Sequence, residues 1–157
     1  MMPAVVLRDA GVADLGEVMV TMTEAFDPRF GEAWTQSQCL GILSLPGVWM
    51  TLARIDDRPV GFALSRIVAD EAELLLLAVR PGDRRLGVGN LLLASVRDAA
   101  RQRGARKLFL EVRDGNPARH LYDSAGFRVV GCRRGYYRGR DGGVHDAYTL
   151  ESDLAQT

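Results

Sequence analysis

Neither sign of charge is in excess in this sequence: 20 lysines and arginines balance 20 aspartates and glutamates. A chain that coats nucleic acid or an anionic membrane carries a basic surplus, so direct nucleic-acid or membrane binding is not expected. Cysteine is scarce. Cys39 and Cys132 are the only two, too few for the disulfide framework of a small secreted chain, and the expectation is reduced thiols in the cytoplasm. His120 and His145 stand apart with no patterned carboxylates around them, so no metal is expected. No apolar run approaches the roughly 18 residues of a membrane span, and residues 1–7 lack the basic start and apolar stretch of a secretory leader. Linkers, repeats and low-complexity tracts are missing too. What remains is a globular balance, 47% apolar and 25% charged over 157 residues, enough for one domain across the whole chain with its own core.

Hydrophobic spacing and turn residues divide the chain. Residues 5–7 read as a strand and 14–26 as an amphipathic helix, with Leu15, Val18, Met19, Met22 and Phe26 at helical spacing. Thr35 followed by Gln38 is a capping box, which starts a second helix ending near Leu43. Residues 48–54 and 59–68 form a hairpin turned at Asp56-Asp57. The leucine-rich run 73–79 is a third strand, expected to be buried on both faces. A long helix follows over 87–103, with Leu91, Leu92, Val96 and Ala99 expected inward. Then come a strand at 107–112, a short helix at 118–124 and strands at 127–132 and 144–150 linked through 136–143. The order β-α-α-β-β-β-α-β-α-β-β implies an α/β (α+β) fold.

Between the leucine strand and the long helix lies Arg84-Arg85-Leu86-Gly87-Val88-Gly89. The first N–H groups of a helix lack helical partners and the dipole there favours negative charge. Gly87 and Gly89 clear side chains from the path of a phosphate, and Arg84 and Arg85 add charge at the rim. The alternative for the glycines is tight packing of helix on strand. A Walker loop needs Gly-Lys-Ser/Thr where Gly89-Asn90-Leu91 stands, and a dinucleotide fingerprint needs a third glycine where Leu92 stands.

Arg84-x-x-Gly87-x-Gly89 resembles the acetyl-CoA signature of the GNAT superfamily. Ala78-Val79-Arg80-Pro81 looks like the end of that superfamily's central strand, and Asn116 with Ala118-x-x-Leu121-Tyr122-x-x-x-Gly126-Phe127 is similar to its second signature. The resemblance implies a mixed, mostly antiparallel sheet of about seven strands, a splayed parallel pair and about four helices. It implies acetyl-CoA as co-substrate. Backbone groups of Leu77 and Val79, in the stretch that includes Ala78, would face the pantetheine arm, and the N–H groups from Leu86 through Val88 to Asn90 would hold the diphosphate.

Acetyl transfer to an amine needs a base, since a free amine is largely protonated near pH 7, and an acid for the departing thiolate. Glu111 alternates with Leu110 and Val112 and so faces away from them. It reads as a base acting through a water, or else as a surface residue or a partner of Arg113. Tyr122 reads as an acid, or else as a core aromatic beside Leu121 and Phe127. Leu110-Glu111-Val112-Arg113, Leu121-Tyr122, Arg133-Arg134-Gly135-Tyr136-Tyr137 and His145-Asp146-Ala147 look like the RimI-type branch, whose members acetylate the N-terminal alanine of a small-subunit ribosomal protein. That match implies Glu111 as base and Tyr122 as acid. It also implies Trp34, Tyr136 and Tyr137 along a peptide groove, and a protein or peptide N-terminus as partner for a monomer or homodimer. Three features depart from the branch: only Pro117 separates Asn116 from Ala118, where two residues are usual, Arg138 stands where a proline commonly follows the tyrosine pair, and residues 27–31 form a long insertion. Cys132 is expected as a buried strand thiol and Cys39 as core.

Overall fold

A computed structural model describes residues 4–154. Strand β1 (Val5–Ala10) leads through a single 3-10 turn into α1 (Leu15–Ala25), and α2 (Gln36–Leu43) follows. The capping box is present: Gln38 N–H donates to Thr35 Oγ1 at 3.1 Å and Thr35 N–H to Gln38 Oε1 at 2.8 Å. Strands β2 (Val48–Ile55) and β3 (Arg58–Val68) are joined by Asp56 and Asp57, both with positive φ, 52° and 62°. That pair of left-handed residues makes the tight turn whose twist suits a hairpin. Next come β4 (Glu71–Val79), α3 (Val88–Gln102), β5 (Lys107–Arg113), α4 (Arg119–Ser124), β6 (Arg128–Arg138) and β7 (Val144–Asp153).

The seven strands form one sheet in the order β1-β2-β3-β4-β5-β7-β6. Every neighbouring pair is antiparallel except β4 and β5. Alternation along the strands feeds two cores. Trp49, Ala72, Leu74, Leu108, Leu110 and Leu150 pack with α3 residues Val88, Leu92, Leu93 and Val96. Met50, Leu52, Phe62, Leu64 and Leu76 pack with Leu15, Val18 and Met22 of α1 and Cys39 of α2.

Two irregularities position the site. The register of β3 on β4 shifts between Leu64 and Ser65, which pair with Leu76 and Leu74 and leave Leu75 as an extra residue. The bulge turns the strand over: Leu74 belongs to the α3 core, while Leu75 and Leu76 belong to the α1 core. The parallel pairing of β4 with β5 also ends at Leu74 and Leu110. Past that point the strands part and leave one edge of residues 75–79 unpaired.

Several expectations are corrected. The leucine strand is not buried on both faces, because Leu75, Leu77 and Val79 border the gap and are only half-buried. On α3, Leu91 is 44% exposed, and the inward positions are Val88, Leu92, Leu93, Val96 and Ala100. Those five positions centre the apolar stripe well away from Leu91 at 100° per residue. Strand β6 extends to Arg138, so Tyr136 and Tyr137 lie within it and not in the connection. As the outermost strand it leaves Cys132 exposed.

Candidate active site at the splayed strands

The N-terminus of α3 opens on one side of the gap. Its first internal bond runs from Leu91 N–H to Gly87 C=O, so the N–H groups of Val88, Gly89 and Asn90 have no helical partner. No side chain caps this end. Gly87 has φ of 79° and nothing within 4 Å of a built Cβ, so its need for glycine is conformational. Gly89 is limited by space: a Cβ there would lie 3.3 Å from Leu121 Cδ2. Arg85 also has positive φ, 72°, a strained setting for a non-glycine residue.

These residues border a cleft of about 490 Å³ whose walls include Leu77, Ala78, Val79, Arg84, Arg85, Gly87, Val88, Gly89, Asn90 and Asn116. Of the residues expected to hold the cofactor, Leu86 alone is absent from the wall; it packs against the α3 core. Arg84 is engaged with protein, its Nε donating to Val79 C=O at 3.2 Å and its Nη2 to Ala25 C=O at 3.0 Å. It therefore ties the end of α1 to the end of β4. Arg85, exposed at the rim, is the better placed of the two to meet an anion. Asn116 is used twice within the protein: Oδ1 accepts from Ala118 N–H at 2.8 Å, closing the turn ahead of α4, and Nδ2 donates to Glu32 Oε2 at 2.7 Å.

A second cavity, of about 300 Å³, lies along the other side of the gap. Trp34, Glu111, Tyr122, Tyr136 and Tyr137, all expected to act on or bind the acceptor, line it together. Glu111 faces away from buried Leu110 and Val112, as alternation requires. Its partner is Arg133 and not Arg113: Arg133 Nε lies 2.9 Å from Oε1, and Thr149 Oγ1 donates to Oε2 at 2.8 Å. Tyr122 packs edge-on against Phe127 with centroids 5.8 Å apart, yet among the described residues nothing hydrogen-bonds its hydroxyl. Burial, with the Glu32 charge adding to it, pushes the Tyr122 phenol above its ordinary range, so the group stays protonated. Tyr136 and Tyr137 meet edge to face at 4.9 Å, and burial raises both phenols.

Sequence reasoning missed two carboxylates here. Glu32 borders both cavities. It pairs with Arg113 at 3.1 Å, both side chains being 9% exposed, and the Arg113 guanidinium stacks 3.7 Å from the Phe30 ring centroid. The segment carrying Glu32 is held against the β6–β7 hairpin, where Arg140 N–H donates to Pro28 C=O at 3.2 Å and a Cβ on Gly31 or Gly139 would collide with backbone. Glu73, on β4, lines the second cavity opposite Glu111. Only the insertion of 27–31 hinted at Glu32, and nothing but its charge at the head of a leucine run marked Glu73. Among the described residues no cluster of three or more metal-ligating side chains occurs, and no helix is long and apolar enough to cross a membrane.

Known proteins resemble this chain in sequence and fold. The chain is 38% identical over 91 residues to the [ribosomal protein bS18]-alanine N-acetyltransferase of Haemophilus influenzae, covering 58% of this chain and 62% of that protein. To the enzyme of the same name from Salmonella typhimurium it is 45% identical over 83 residues, 52% of this chain and 56% of the relative. The matched stretches thus span little more than half the length of these relatives. The crystal structure of the ribosomal-protein-S18-alanine N-acetyltransferase from Escherichia coli superposes with a TM-score of 0.84 at 27% identity, over 98% of this chain and 96% of that one. Arabidopsis thaliana NAA60, solved with a bisubstrate analogue, shares the fold with a TM-score of 0.81 at 20% identity, over 96% and 98%. The profile described as the Acetyltransferase (GNAT) family matches residues 17–127, and the chain belongs to that family.

Proposed function

We propose that this chain transfers the acetyl group of acetyl-CoA to the N-terminal amine of a protein or peptide, with an alanine-initiated ribosomal protein as the acceptor class. The observation that carries the reading is the meeting of two cavities at the end of the β4–β5 pairing. One is backed by free helix N–H groups and the other by Glu111 and Tyr122. Acetyl-CoA, when bound, supplies the activated acyl group as a thioester. The N–H groups of Val88, Gly89 and Asn90 suit its diphosphate, with Arg85 at the rim. The unpaired edge of residues 75–79 offers backbone groups to the amides of an extended arm.

Glu111 holds its carboxylate toward the acceptor cavity through Arg133 and Thr149, and acts as base toward the attacking amine. Tyr122, kept protonated by burial, donates toward the departing thiolate. Trp34, Tyr136 and Tyr137 form the walls along which the first residues of a peptide lie. The names of the Haemophilus and Salmonella relatives support the acceptor. The test is thiol release from acetyl-CoA with a panel of acceptors. Turnover of a short Ala-initiated peptide, with none for its N-blocked form, is expected. Turnover confined to lysine side chains or small amines overturns the acceptor class, and the absence of thiol release with every acceptor in the panel overturns the activity.

A further inference from the structure

The nitrogen of the acceptor loses two protons in this reaction. It arrives as an ammonium, R–NH3+, because an α-amine titrates near pH 8, and it leaves as an amide with one hydrogen. One proton must go before the lone pair can attack. The second must go from the nitrogen once it is bonded to the acyl carbon. In the balance, one proton ends on the sulfur of CoA and the other in solvent. A lone base must pass on its first proton before it can take the second, so a second acceptor in the cavity has a definite task.

Glu73 sits where that task lies. Ala72 and Leu74 pair with Leu108 and Leu110 across the parallel strands, and all four are buried in the α3 core. Alternation turns Glu73 and Glu111 to the opposite face. Both line the acceptor cavity, and both also line the shallower depression that continues from it past Arg66 and Arg133. The other carboxylates of the cavity are committed, Glu32 to Arg113 and Asn116, Glu111 to Arg133 and Thr149. Among the described residues Glu73 has no ion pair within 4 Å, and it keeps solvent access along the groove. We propose that Glu73 is a second catalytic carboxylate: it receives the acceptor's ammonium, takes the first proton, and leaves the second to Glu111.

Its titration fits the role. The walls of the groove desolvate the Glu73 carboxylate, Glu111 repels it, and Arg133 and Arg66, the latter directly across from it on β3, only partly offset this, so its carboxyl lies above the usual carboxylate range. A base with raised affinity for a proton is better matched to an ammonium than an ordinary surface carboxylate. The groups facing it are Arg66 on β3, Glu111 on β5, and Arg133 and Tyr136 on β6.

The assignment rests on the acetyl-transfer reading above, and the test separates the two. Turnover of an Ala-initiated peptide is measured for the full chain, Glu73→Gln and Glu73→Asp between pH 6.5 and 9.5. Peptide binding is measured separately on chain loaded with CoA, which cannot react. At pH 7 Glu73→Gln is expected to lower kcat/KM by about 10²-fold and to weaken peptide binding, with Glu73→Asp recovering part of both. The deficit is expected to shrink toward none at pH 9.5, where the amine is already neutral. A deficit equal at every pH, or no deficit, overturns the role of Glu73 and leaves the acetyl-transfer reading standing. A wild-type chain that turns over no peptide overturns both.

Discussion

The two sides of the β4–β5 gap are built by different means. The side proposed for the cofactor is made of backbone: free helix N–H groups, an unpaired strand edge and two glycines within a few residues of each other. The side proposed for the acceptor is made of side chains carried by distant parts of the chain, Glu32 before α2, Glu73 on β4, Glu111 on β5 and the two tyrosines on β6. A backbone site tolerates most side-chain changes and is sensitive to added bulk. A side-chain site loses function one group at a time.

The sharpest separation comes from Glu111→Gln, expected to lower kcat by about 10²–10⁴-fold while calorimetry finds acetyl-CoA affinity unchanged. Equal losses in both would make Glu111 structural and erase the contrast. Glu32→Ala should act on folding before chemistry. It leaves Arg113, 9% exposed at its side chain, without its counter-ion, and urea unfolding is expected to register a loss of about 3–5 kcal/mol. Gly89→Val should act on the cofactor side alone, weakening CoA binding on the order of tenfold, about 1.4 kcal/mol, with peptide binding to CoA-loaded chain retained at saturating CoA.

The smallest effect concerns Asp83, buried just ahead of the phosphate loop and held by Arg58 through contacts of 2.8 and 2.9 Å. Arg58 keeps the Asp83 carboxyl below its usual range against the opposing effect of burial. A depressed folded pKa means the stabilisation is complete above the unfolded value, near 3.9, and is lost as pH falls through the folded one. Thermal melts of Asp83→Asn should therefore change less between pH 5 and pH 2 than those of the wild type.

The same contrast explains what could be read from the sequence. The turn and open helix start were legible because their determinants are local: Arg84 to Asn90 carry both in one short stretch. All eleven elements stood in the right order, because capping at Thr35, the Asp56-Asp57 turn and the apolar spacings are local signals too. Glu111 and Tyr122 were singled out through alternation and motif, and the structure brings them to one cavity. Glu32 and Glu73 were not found, since their meaning depends on which strands become neighbours and where pairing stops. The bulge at Leu75 was hidden for a related reason: in a run of four leucines no periodicity can announce that the strand has turned over. Leu91 and Cys132 failed more simply, the first through a misplaced helical face and the second because β6 is an edge.

That extra leucine has a consequence for how the sheet is kept from healing itself. Two parallel strands with hydrophobic flanks have every reason to keep zipping, since each further rung satisfies backbone groups otherwise left to water. Removing Leu75 would restore a regular register with β3 while leaving Leu76 and Ala78 on the α1 side, where they already pack. Pairing could then continue to the strand ends, giving a sounder sheet with nowhere to put a ligand. A single surplus residue thus keeps open a seam that ordinary strand pairing would close.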